Sequence, residues 1–168
     1  MIPNSLMSDM ALPELGRGSQ FTLFGFRACA WGPTGCGCLS KAFDDILGHD
    51  VAPGILMCFR ELAYCLGKDG GRRLKLVAPG CARLTYDEGS VLGAIAASQK
   101  QDPHLRDSHL SWLLASRPRS IHSILCDRIG LGLLSANLEV VPPEQCETAT
   151  RSVGATTSSW LSPVSGNA

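Results

Sequence analysis

The sequence predicts a mainly α-helical domain: a small bundle of four to five helices with a short β-hairpin and disordered N- and C-terminal segments. Apolar residues recur at spacings of three and four across much of 39–138, the period of a helix with one buried face. Capping residues, prolines and glycines divide that interval where helices should start and stop. About 45% of the 168 residues are apolar, ordinary for a packed core and too many for a disordered chain. The length suits one domain.

Residues 1–20 read as a flexible leader, interrupted by Pro3 and Pro13 and carrying Asp9 and Glu14. They lack the basic start and apolar run of a secretory signal. Phe21–Trp31 alternates in part, Phe24 and Phe26 against Leu23 and Gly25, and reads as a strand, although Arg27–Ala30 would also suit a helix. Gly32-Pro33-Thr34-Gly35 ends it. Leu39–Leu47 places apolar residues at 39, 42, 43, 46 and 47, a helical stripe closed by Gly48. Pro53–Leu66 does the same at 55, 56, 59, 62, 63 and 66, with proline in the first turn and Gly67 at the end.

Arg72–Val77 alternates, and Ala78-Pro79-Gly80-Cys81 has the residues of a type II turn, so a hairpin is expected near 73–85. Thr85-x-x-Glu88 is a capping box. The helix behind it should run to about Lys100 with Val91, Leu92, Ile95 and Ala96 inward. Asp102 caps the next helix and Pro103 opens it; Leu105, His109, Leu110, Trp112, Leu113 and Leu114 lie along it. Ser120 begins a last helix, Ile121–Leu138, with Ile121, Ile124, Leu125 and Ile129 inward. The folded domain is thus expected over 21–142, followed by a Ser/Thr-rich tail over 143–168 in which Trp160 and Leu161 form the one large apolar group.

Fifteen basic and fifteen acidic residues give a formal charge of zero. That argues against nucleic acid as a partner and against an electrostatic membrane anchor. No apolar run reaches the 18 or so residues that span a bilayer. The charged fraction, 18%, favours association with a protein partner or with a second copy. Without an export signal the expected location is cytoplasmic, where thiols stay reduced.

Six of the eight cysteines lie between Cys29 and Cys81. Soft sulfur ligands suit zinc or an iron–sulfur cluster, and a four-sulfur metal site would draw on Cys29, Cys36, Cys38 and Cys81. None of the spacings is a standard ligand pattern, so the ordinary reading is free thiols. A Cys36–Cys38 disulfide across one glycine would be strained and easily reduced. Cys58 and Cys65 would share a helix face about 10 Å apart, too far for one ion. Gly35-x-Gly37-x-x-Ser40 lacks the lysine of a phosphate loop, and Gly130-x-Gly132 inside the last helix reads as close packing. Asp45/His49 and His122/Cys126 are four apart, so each pair shares a helix face; His104 and His109 complete the four histidines, and His109 reads as a packed or partly exposed residue of the Trp112 helix. Arg72, Arg73, Lys75 and Arg83 form a basic cluster that would suit an anion or an acidic partner surface.

No His-Glu-x-x-His or Gly-x-Ser-x-Gly pattern occurs. The expected function is therefore that of a small intracellular, non-enzymatic protein acting by protein–protein interaction, with 84–138 and Trp112 at the interface and a cysteine-based metal or thiol site as an added feature. The competing class is a metal- or redox-dependent enzyme or sensor built on the Cys29–Cys81 cluster. A third is a helix-turn-helix DNA-binding regulator over 86–136, whose recognition helix would carry only Arg128 as a base past its first turn.

Overall fold

A computed structural model describes residues 6–32 and 37–143. The chain is mainly helical, with α1 (Arg17–Ala30), α2 (Gly37–Leu47), α3 (Ala52–Asp69), α4 (Tyr86–Gln99), α5 (Pro103–Leu114) and α6 (Ser120–Ser135). Six helices therefore stand among the described residues where four or five were expected. Strand β1 (Leu6–Ala11) pairs antiparallel with β2 (Arg83–Thr85), and a 3-10 turn at Leu12–Glu14 leads from β1 toward α1.

The additional helix is α1, which replaces the strand expected over Phe21–Trp31. Phe21, Leu23, Phe26 and Arg27 are all buried, and so are Thr22 and Gly25. A helix covered by α3 on one side and α4 on another hides apolar residues in nearly every direction. Its sequence then loses the one-sided stripe and can imitate alternation. Gly25 is required where α1 meets α2: an added Cβ would stand 2.7 Å from Cζ of Phe43. The Phe43 ring lies 4.8 Å from Phe21 and 5.7 Å, edge-on, from Phe59. These three rings join α1, α2 and α3.

The expected 73–85 hairpin is not formed. Residues 73–78 have no strand assignment, and β2 takes its partner from residues 6–11, within the segment read as a flexible leader. Of that leader, residues 6–20 contribute the strand, the 3-10 turn and the first turn of α1. The alternation of 72–77 has another origin. Lys75 N–H donates to Asp87 (2.7 Å) and Val77 N–H to Glu88 (3.2 Å), while the Lys75 carbonyl accepts from Thr85 Oγ1 (2.6 Å). Side chains at the start of α4 thus satisfy the backbone that a sister strand would otherwise hold.

Helix α2 buries Leu39, Phe43 and Leu47, and α3 buries Ile55, Leu56, Phe59, Leu62 and Leu66, as their stripes predict. Helix α4 is the central element and packs against α1, α5 and α6. Every residue from Asp87 to Ser98 except Ser90 is buried. Gly89, Gly93, Ala94, Ala96 and Ala97 keep it thin, and a Cβ on Gly93 would collide with the His109 ring of α5. Asp102 caps α5 by accepting from Leu105 N–H at 3.0 Å.

Helix α6 ends at Ser135, short of the expected Leu138. The chain then turns back as a strap over 136–141, with Leu138 and Val140 buried. Gln99 holds it through Leu138 O (2.9 Å) and Val140 N–H (2.8 Å); Ser19 holds it through both backbone groups of Val141. Inward placement holds for Leu125 and Ile129 but not for Ile121 and Ile124, which are exposed. The inner face is filled by His122, Leu125, Cys126, Ile129 and Leu133. Of the tail expected over 143–168, only Pro143 is described; Trp160 and Leu161 lie outside the described residues.

The capping box forms as expected, with Glu88 N–H to Thr85 Oγ1 at 3.1 Å and Thr85 N–H to Glu88 Oε2 at 3.0 Å. It also does more than cap. Glu88 meets Arg27 of α1 through Nε–Oε1 (2.8 Å) and Nη2–Oε2 (3.0 Å), with both side chains sealed from water. Arg27 donates further to the carbonyls of Cys81 (2.8 Å) and Arg83 (2.7 Å). Removing one partner of such a pair strands a buried charge and costs about 3–5 kcal/mol, whereas losing a cap hydroxyl costs about 1 kcal/mol. Glu88→Ala is therefore expected to destabilise the fold several times more than Thr85→Ala. Equilibrium urea unfolding of both variants checks this; equal losses would mean that Glu88 acts as a cap alone.

Candidate functional site: a groove between α1, α3 and residues 70–76

The described cysteines are spread over four helices and one turn. Cys29 ends α1 and is half-buried beside Arg60 of α3. Cys38 is exposed in the first turn of α2, and Cys81 follows the Pro79-Gly80 turn with its carbonyl engaged by Arg27. Cys36 lies outside the described residues. Among the described residues no three His, Cys, Asp or Glu side chains converge as a metal-binding group. Burial pushes the Cys29 thiol up against the opposing pull of Arg60. It also raises Cys58 and Cys65 on α3, and it drives the fully enclosed Cys126 to about 12. Thiols held above their usual range stay protonated and react slowly.

The histidine pairs resolve into structural contacts. His49 Nδ1 lies 3.3 Å from Asp44, not Asp45, at the end of α2. His122 is buried, and both ring nitrogens are occupied. Nδ1 accepts the Arg119 N–H (3.0 Å), which leaves the ring proton on Nε2, 3.1 Å from Asp69. Arg119 pairs with the same carboxylate, and that hydrogen bond leads the causes that hold Asp69 below its usual range. His122 thus joins α6 to the end of α3 and has no nitrogen left to act as a ligand or base.

The basic cluster divides. Arg72 makes two hydrogen bonds to Asp87 (2.9 and 2.6 Å) and stacks on the exposed Trp112 ring, 5.5 Å from its centroid. Lys75 and Arg83 are exposed elsewhere on the surface. Arg72 and Arg73 border a groove of about 690 Å³ whose walls are the end of α1, the outer face of α3 and residues 70–76. Phe26, Ala63, Leu74 and Leu76 supply apolar lining; Arg60 and Tyr64 stand on the α3 side. Arg60 and Tyr64 escape the sequence reading because they occupy exposed positions of α3, the polar complement of its stripe, and carry no motif.

Residues 73–77 give the groove its chemistry. Exposure alternates, with Leu74 and Leu76 half-buried and Arg73 and Lys75 exposed. Lys75 and Val77 turn their backbone groups toward α4, as the hydrogen bonds above show. In an extended chain the alternate residues, Leu74 and Leu76, turn theirs the other way. Among the described residues, Leu74 and Leu76 make no backbone–backbone hydrogen bond. One edge of the segment is pinned through Lys75 and Val77, and no backbone–backbone bond engages the other at Leu74 and Leu76.

A second groove, between α5 and α6, is polar but internally matched. Arg106 engages Asp107 and Asp127 at 2.8–2.9 Å, and Ser123 donates to Asp107 at 3.0 Å. Its charges are already balanced. Among the described residues, no helix is long and apolar enough to cross a membrane.

Burial alone would raise Asp87, yet the Arg72 bonds and the Lys75 N–H outweigh it and hold the carboxyl below its usual range. A depressed carboxylate stabilises the fold above its unfolded value, 3.8, and that contribution is lost as pH falls through the lower folded value. The urea midpoint of the wild type should therefore drop below about pH 4 more steeply than that of Asp87→Asn; parallel curves would place the acid-sensitive group elsewhere. In mass-spectrometric thiol labelling of the native chain, Cys38 should react early and Cys126 only on unfolding. Early labelling of Cys126 would contradict the packing of α6.

No family model, curated protein or solved structure matches the chain.

Proposed function

We propose that the protein is a non-enzymatic binding module that takes an extended, acidic segment of a partner protein into the groove between α1, α3 and residues 70–76. The main-chain groups of Leu74 and Leu76, which make no backbone–backbone hydrogen bond among the described residues, carry the reading. An unpaired edge recognises an added strand through N–H and C=O groups, independently of most of that strand's side chains. Selectivity then comes from the walls. Ala63, Leu74 and Leu76 offer apolar contact to alternate residues, and the arginines favour carboxylates beside them. Arg72 is committed to Asp87, so Arg73, which is exposed, is the cation placed to meet an incoming acid.

This reading keeps the protein-partner class and moves the interface. The expected surface centred on 84–138 is led by Trp112, whose ring is stacked against Arg72. The raised thiols around α1 and α3 favour binding over a thiolate-based reaction.

A random decapeptide library selected on the immobilised full chain tests it. Enriched peptides should carry acidic residues flanking an apolar one and should lose binding at least about tenfold on Arg73→Glu, while Lys75→Glu, on the same segment, has a smaller effect. No enrichment above a bare-surface control would overturn the reading. So would peptides that bind the Arg73→Glu variant as well as the wild type.

A further inference from the structure

Helix α6 is apolar on two faces. Its inner face is buried, yet Ile121, Ile124, Leu131 and Leu134 are all exposed, Ile124 at 47% and Leu131 at 55%. A surface helix normally turns charged or small polar residues outward, and one that is apolar all round is normally covered on both sides. Large apolar residues left clustered along one surface helix mark a contact site.

The order of residues along the stripe points to its occupant. Asp127 and Arg128 stand at the middle, with Ile124 and Leu131 three residues to either side and Ile121 and Leu134 three further out. The stripe reads the same from both ends about a midpoint between residues 127 and 128. Twofold symmetry asks for this property: residue i of one copy meets residue j of the other, and j meets i. We infer that α6 is the interface of an antiparallel homodimer, in which Ile121 faces Leu134 of the second copy, Ile124 faces Leu131, and Asp127 faces Arg128.

Charge supports the same register. Arg128 is exposed, and the Asp127 side chain, although held by Arg106, keeps 43% of its surface open. An antiparallel pairing sets Asp127 and Arg128 against each other twice, once on each side of the axis. A parallel pairing would set Arg128 against Arg128. The formal charge of zero adds no general repulsion between copies. A contact of this extent, one helix face spanning about 20 Å, is small for a permanent dimer, so the association is expected to be micromolar.

Sedimentation of the full chain over about 5–500 µM tests the inference. The wild type should shift from monomer toward dimer. Ile124→Lys and Leu131→Glu, each at an exposed position, should each raise the dissociation constant at least about tenfold with the melting temperature at low concentration unchanged. Mixing these two variants should restore a dimer, because the register sets Lys opposite Glu. Arg128→Asp should weaken the wild-type dimer. A wild type that stays monomeric at the highest concentration overturns the inference. A dimer that both single variants keep unaltered places the contact elsewhere, and a mixture no tighter than either variant alone overturns the register.

Discussion

Arg27 and Glu88 lie 61 positions apart and are both sealed from water. Two charges are withdrawn from solvent only when the surroundings satisfy nearly every lone pair and proton. Here the surroundings are the Thr85 amide, the Val77 amide and the carbonyls of Cys81 and Arg83. The pair therefore dictates the position of four pieces of chain at once: α1, β2, the start of α4 and residues 77–81. A greasy replacement could fill the same volume, but it would not specify where those loop carbonyls and amides must lie.

The groove depends on that specification. Residues 73–77 have no regular hydrogen-bonded partner strand, so their course is set by Thr85, Asp87 and Glu88, consecutive in function though not in sequence. Asp87 orients Arg72, and Arg72 in turn covers Trp112. Residues 73–77 are thus held by the same first turn of α4 that receives the buried ion pair. Polar contacts of high stringency position a segment that the apolar core alone would leave adjustable.

The sequence made the amphipathic elements legible. The stripes of α2 and α3, the Thr85–Glu88 box and the Asp102 cap all follow from local spacing, and their chemistry is local too. What stayed hidden was long-range. Nothing near Arg27 announces a carboxylate 61 positions away, and nothing in residues 6–11 announces β2. Helices α1 and α6 blurred the pattern for one shared reason: a helix covered or apolar on more than one side has no single stripe to read, so the exposed Ile121 and Ile124 read as inward although the inner face is already full. The thiol cluster is prominent by count; its described members Cys29, Cys38 and Cys81 belong to α1, α2 and the turn before β2. The groove residues Arg60 and Tyr64 were illegible because exposed positions on a helix carry no periodic signal.

The strap over 136–141 has a consequence for biosynthesis. Among the described residues Ser19 of α1 finds its hydrogen-bond partner in the main chain of Val141, and Gly18 packs directly beneath the main chain at Glu139. A ribosome releases residue 19 long before residue 141, so the amino end of α1 must wait, incompletely docked, while more than a hundred residues follow it out of the exit tunnel. During that interval the nascent protein exposes greasy surface to whatever chaperones are at hand, and this stitch of the fold is tied only once residue 141 has emerged.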